Sequence, residues 1–245
     1  MRAEWSLMST PFCLAAALLC AMACAGQPQE PHAAPTLAVA AQTRESQSAI
    51  TPTRALELLK QGNARFAAGT PLRRDLLAQV HDTATGQYPF ASIVGCIDSR
   101  VPPELVFDQG IGDLFSARIA GNFVDDEILG SLEFASKLAG ARLIVVLGHT
   151  QCGAIKGACD GATLGNLTTT LSHLRPAVDA VTDVPGPRSS KNSAFVTAVT
   201  HMNVRLAVEA VRKRSSVLDE MAARGEIAIV GAIYDVATGE VTFQD

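Results

Sequence analysis

Five consecutive apolar residues, Leu143-Ile144-Val145-Val146-Leu147, leave a strand at this point no face to turn toward water. A strand buried on both sides belongs in a parallel sheet covered by helices on both faces. Shorter runs of the same kind, Ala91 to Ile97 and Asp113 to Ile119, come before it, and Ile227 to Tyr234 comes after. Val241 to Phe243 reads as an edge strand. Helical patterns lie around and between these runs. Thr51 and Pro52 supply a capping hydroxyl and a first-turn proline for a helix through Phe66, with Ala55, Leu56, Leu59 and Phe66 along its apolar face. Asp125 and Asp126 cap a helix bearing Ile128, Leu132, Ala135 and Leu138, and a later helix carries Val204, Ala207, Val208 and Val211. A further helix ends near Gly225. This alternation predicts an α/β fold, a mostly parallel central sheet of four to five strands flanked by helices, with an N-terminal helical arm.

The chain divides into three parts. Arg2 precedes an apolar run from Phe12 to Ala25, too short for a membrane span and ending in small residues, so residues 1–25 are expected to be a secretory signal. Small residues before Cys24 also fit a lipoprotein signal, and the two forms of export stay open: a periplasmic protein, or one anchored at the cell envelope by lipid on Cys24. Residues 26–50 are Ala, Gln, Pro, Ser and Thr with almost no large apolar side chains, and are expected to be a flexible linker. Residues 51–245 suit one domain with a sizeable core. The net charge of −4 is spread along the chain without a basic run, which argues against a nucleic-acid partner.

Outside the signal the cysteines are Cys96, Cys152 and Cys159, an awkward number for disulfides in an exported protein. Metal ligation accounts for them better, with buried, inert thiols as the plain alternative. Cys96-Ile97-Asp98-Ser99-Arg100 closes the first strand and His149-Thr150-Gln151-Cys152 follows the third. In parallel sheets ligands gather at the carboxyl ends of strands, so both motifs arrive at one edge. Either motif alone is weak; together they predict a zinc ion, one per chain, held by Cys96, His149 and Cys152. Cys159, seven residues past Cys152, is expected to pack as a small apolar group. His32, His81, His173 and His201 lack ligand spacing.

Two thiolates neutralise a zinc dication and leave a weak Lewis acid, so the site needs help to ionise water. Asp98 supplies it by accepting a hydrogen bond from a zinc-bound hydroxide, or occupies the fourth position itself and closes the site. Arg100, paired with Asp98, holds the carboxylate ionised and off the metal. The plain alternative for the pair is a loop salt bridge.

The pattern Cys-x-Asp-x-Arg followed by His-x-x-Cys-Gly resembles the β-class carbonic anhydrases, and the likeness runs from about Thr51 to the end. It includes Gly62-Asn63-Ala64-Arg65-Phe66, Gly112-Asp113-Leu114-Phe115, Arg118-Ile119-Ala120-Gly121-Asn122 and Gly231-Ala232-Ile233-Tyr234-Asp235. The resemblance implies reversible hydration of carbon dioxide to bicarbonate and a proton, and a homodimer or homotetramer. It also implies that Gln109 is a substrate-side amide, with the Gly153 N–H sharing that role. Family members gated by bicarbonate carry Trp three residues before the first cysteine; here Ile93 stands there, although Arg118 and Tyr234 match two other positions of that pocket. An enzyme open to water at neutral pH is therefore expected. Two other functions remain: a hydrolase for carbonyl sulfide or carbon disulfide on the same scaffold, and a non-catalytic zinc-binding or redox-sensing protein.

Overall fold

A computed structural model describes residues 39–244. The expected signal, Cys24 and the first part of the expected linker lie outside the described residues. The elements begin with α1 (Arg44–Ser48), α2 (Pro52–Ala67), α3 (Leu76–Asp82), β1 (Ala91–Gly95), α4 (Pro103–Val106) and β2 (Leu114–Arg118). α5 (Asp126–Glu133) runs into a π-helical turn at Phe134–Leu138, followed by β3 (Leu143–His149), α6 (Gly153–Cys159), α7 (Gly165–Ser172) and α8 (Arg175–Ala180). The long α9 (Ser193–Arg214), α10 (Ser216–Ala223), β4 (Ala228–Tyr234) and β5 (Val241–Gln244) complete the domain. All the predicted strands form, in the spatial order β2-β1-β3-β4-β5, and every pairing is parallel except that of β4 with β5.

The apolar run of β3 explains the two layers. Ile144 and Val146 point into a cluster with Leu129, Leu132, Val204, Val211 and Leu218 from α5, α9 and α10. Leu143, Val145 and Leu147 point the other way, against Ala55, Leu59, Phe90 and Phe107. Period-two alternation sends every second side chain to one face, so an unbroken apolar run serves both. Caps also follow the expectation: Thr51 accepts the Arg54 N–H at α2 and Asp125 accepts the Ile128 N–H at α5.

α2 lies so close to the end of α4 that a Cβ added at Gly62 would sit 1.8 Å from the Phe107 carbonyl oxygen. A backbone atom cannot step aside as a flexible side chain does. Gly62→Ala is therefore expected to destabilise the domain by about 1–3 kcal/mol. The check is a urea unfolding curve with a lower midpoint and an unchanged slope.

The flexible-linker expectation fails over its last residues. Thr43 and Ser46 form a reciprocal cap on α1. Gln47 is buried and donates its amide to the carbonyls of Pro89 at 2.7 Å and Ala139 at 2.8 Å. A reckoning based on large apolar side chains misses this anchor, because the segment is held by one amide that satisfies two carbonyls.

Candidate metal centre

β1 and β3 are parallel neighbours with Gly95 opposite Leu147, so the residues just beyond them emerge side by side. Cys96 leaves β1, His149 ends β3, and Cys152 is the N-cap residue of α6. Their ligand atoms all lie within 4.8 Å of one another, and the three side chains are buried. The two predicted motifs therefore meet as expected.

The geometry suits a tetrahedral ion. Cys96 Sγ and Cys152 Sγ are 4.0 Å apart, too far for a disulfide bond of about 2.05 Å. Two sulfurs on one zinc at about 2.3 Å each would be separated by roughly this distance. His149 Nδ1 lies 2.9 Å from the Thr150 carbonyl oxygen, an acceptor that fixes the N–H on Nδ1. Its Nε2 lone pair is then left buried with no partner among the described residues, a costly arrangement unless the atom is a ligand. The contact with Cys152 lowers the Cys96 thiol, and the same contact with burial raises Cys152. A dication between them would bind both as thiolates and release their protons.

Beside the cluster Asp98 is paired with Arg100. Its Oδ1 accepts the Arg100 backbone N–H at 3.0 Å and Nε–H at 2.9 Å, and its Oδ2 accepts Nη2–H at 2.7 Å. The Arg100 hydrogen bonds, chiefly, hold the Asp98 carboxyl well below the usual carboxylate range. Asp98 Oδ2 is 3.9 Å from His149 Nε2, which sets the carboxylate at the edge of the ligand cluster.

Arg118 clamps this loop, donating to the carbonyls of Cys96 at 2.9 Å and Asp98 at 2.7 Å. Tyr234, buried, pairs in register with His149, and its carbonyl accepts the Thr150 N–H at 2.9 Å. Ile93 is fully buried in the core. Gln109 donates its side-chain amide to the Phe107 carbonyl at 2.6 Å. Gly153 begins α6 with nothing within 4 Å of an added Cβ, which leaves its backbone open to approach. Cys159 is buried among Phe123, Leu171 and Val199, as its expected apolar role requires, and burial pushes its thiol up. Of the histidines, His173 stacks on Phe123 at 4.3 Å and His201 contacts Gln244. Sequence reasoning missed the Thr150 carbonyl, the Arg118 clamp and a Gly121 N–H that reaches Cys96 Sγ at 3.4 Å. The string from Arg118 to Asn122 was visible, but its contacts were not.

Fold and site together define a parallel α/β protein with a thiolate–imidazole metal centre at the carboxyl edge of its sheet. Residues 91–241, more than half of the chain, match the family described as Carbonic anhydrase. Carbonic anhydrase 2 of Mycobacterium tuberculosis is 37% identical over 197 residues, covering 79% of this chain and 93% of that protein. Among solved structures, a Coccomyxa β-carbonic anhydrase in complex with acetazolamide aligns with a TM-score of 0.62 at 27% identity, over 77% of this chain and 83% of its own. One of two tetrameric β-carbonic anhydrases from Sordaria macrospora aligns with a TM-score of 0.57 at 26% identity, over 67% and 88%. The chain belongs to the carbonic anhydrase family, in its β class.

Proposed function

We propose that this enzyme catalyses the reversible hydration of carbon dioxide to bicarbonate and a proton, using one zinc ion per chain held by Cys96, His149 and Cys152. The observation that carries the proposal is the buried, unpartnered His149 Nε2 facing two thiol sulfurs, with the neighbouring Asp98 turned onto Arg100. When bound, zinc supplies a Lewis acid that brings a coordinated water to ionise near neutral pH. The protein does the rest. Arg100 keeps Asp98 ionised and its oxygens engaged, so that the carboxylate would not itself compete for the metal. With the metal bound, Asp98 Oδ2 would be the acceptor that orients the reacting water toward the substrate. Gln109 and the Gly153 N–H are the proposed substrate contacts, and Gln109 would act across a subunit boundary, since in one chain its amide is turned into its own loop. A homodimer or homotetramer follows, in keeping with the tetrameric relatives. With Ile93 where gated relatives have Trp, the open state is proposed as the resting one. Export rests on residues 1–25 alone, with the mature form periplasmic or lipid-anchored through Cys24.

Carbonyl sulfide or carbon disulfide hydrolysis would use the same ligands, and a closed structural or redox zinc site would have no use for the Asp98–Arg100 pair. The test measures carbon dioxide hydration beside hydrolysis of both sulfur compounds on protein of known zinc content. Carbon dioxide is expected to be the preferred substrate. Zinc-loaded protein inert toward it, at alkaline as well as neutral pH, would overturn the proposal.

A further inference from the structure

One buried side chain on α9 is tied to a metal-binding sulfur through a single residue between them. Asn203, 4% exposed, donates its Nδ2–H to the Gly121 carbonyl at 2.8 Å. The N–H of the same glycine donates to Cys96 Sγ at 3.4 Å.

Gly121 is the third residue of a turn closed by the Asn122 N–H on the Ile119 carbonyl at 3.0 Å, and its φ of 86° is the left-handed conformation a type II turn demands there. A Cβ at this position would meet Leu174 Cδ1 at 2.6 Å. Glycine solves the steric problem and creates another, since it is the residue least able to hold its own dihedrals. The peptide between Gly121 and Asn122 is held on both edges: its N–H by the turn, its carbonyl by Asn203. With that plane fixed, the preceding N–H is aimed at the sulfur.

We propose that Asn203 is a positioning residue of the metal centre, which through Gly121 holds one backbone N–H on the Cys96 sulfur and so limits the charge that this thiolate donates to the metal. An N–H on a thiolate withdraws electron density from it. In a site where two thiolates already neutralise the dication, that withdrawal preserves Lewis acidity. The inference rests on the metal-centre assignment above, and its experiment does not depend on turnover.

Cobalt(II)-substituted protein reports the thiolate directly through its sulfur-to-metal charge-transfer bands. Asn203→Leu, close in size but without a donor, is expected to move those bands to lower energy and to weaken zinc binding about 10–100-fold in a chelator competition. Asn203→Ser, a smaller change at the same place, should shift the bands in the same direction. Val211→Ala, a buried truncation on the same helix outside this chain of bonds, should leave them in place. In wild-type protein loaded with NMR-active cadmium, the Gly121 amide proton should show scalar coupling to the metal through sulfur. Unchanged bands in both Asn203 variants, an equal shift in Val211→Ala, or absence of the coupling would each overturn the proposal. Should the wild type show thiolate–cobalt bands and the cadmium coupling while its zinc form fails to hydrate carbon dioxide, the functional proposal falls and this one stands.

Discussion

Cys152→Ala is expected to give a folded protein that carries essentially no zinc, against about one ion per chain in the wild type. Cys152 is 1% exposed at the start of α6, and its sulfur is one corner of the ligand cluster. Without it only one thiolate and one imidazole remain, too few donors and too little negative charge to hold a dication against water. Hydration activity should fall to background with the metal. A second readout concerns stability. An ion that binds the folded state alone stabilises it by about 2.7 kcal/mol when present at a hundred times its dissociation constant. Added zinc should therefore raise the melting temperature of the metal-free wild type and leave that of Cys152→Ala unmoved. Cys159→Ala is the control, since that thiol is buried in the apolar cluster outside the ligand group. Equal zinc loss from both variants would show that general destabilisation, and not ligand removal, was being measured.

Arg100→Met is expected to keep zinc and lose carbon dioxide hydration by roughly 10²–10³-fold, the cost of removing a preorganised electrostatic partner. In the native protein Arg100 engages both oxygens of Asp98, and that contact depresses the carboxyl. For a depressed carboxyl the stabilising contribution of the pair is complete above the ordinary value of about 3.9 and is lost only as pH falls through the lower folded value. Across the neutral range the pair is thus always formed. In Arg100→Met the carboxylate is free to swing the short distance toward the cluster, where it competes with solvent for the open position. Hydroxide competes better as pH rises, so the deficit should narrow in alkaline solution. Asp98→Asn should also retain zinc and lose activity, but without that alkaline recovery, because an amide is a poor competitor for the metal. Matching pH profiles for the two variants would contradict the gating role and leave Asp98 and Arg100 as a loop salt bridge.

What was legible beforehand and what was not divides along the distance over which the forces act. The sheet could be read because burial on two faces leaves a local mark: Leu143 to Leu147 reads as a covered strand between turn signals, and Ala91 to Gly95 differs only in degree. Strand ends then place Cys96 and His149 at one edge. The Asp98–Arg100 pair was also legible, being two residues apart in one loop. By contrast, Gln47 holding Pro89 and Ala139 joins residues 42 and 92 positions apart, and nothing in a polar, proline-rich stretch announces it. Gly121 on Cys96 spans 25 positions, and Asn203 on Gly121 spans 82. Gln109 was placed by resemblance alone, and in one chain its amide donates to the Phe107 carbonyl.

The sequence by itself determined the covered parallel sheet, the ligand types and the partner of the carboxylate, since each depends on residue chemistry and short-range periodicity. Only the tertiary structure decided which imidazole nitrogen is left for a metal, which way Asp98 faces and which backbone N–H meets the sulfur. The first two depend on how the loops leave the packed sheet, since their partners are near neighbours in the chain, and the last joins segments 25 positions apart that meet only once the fold is complete.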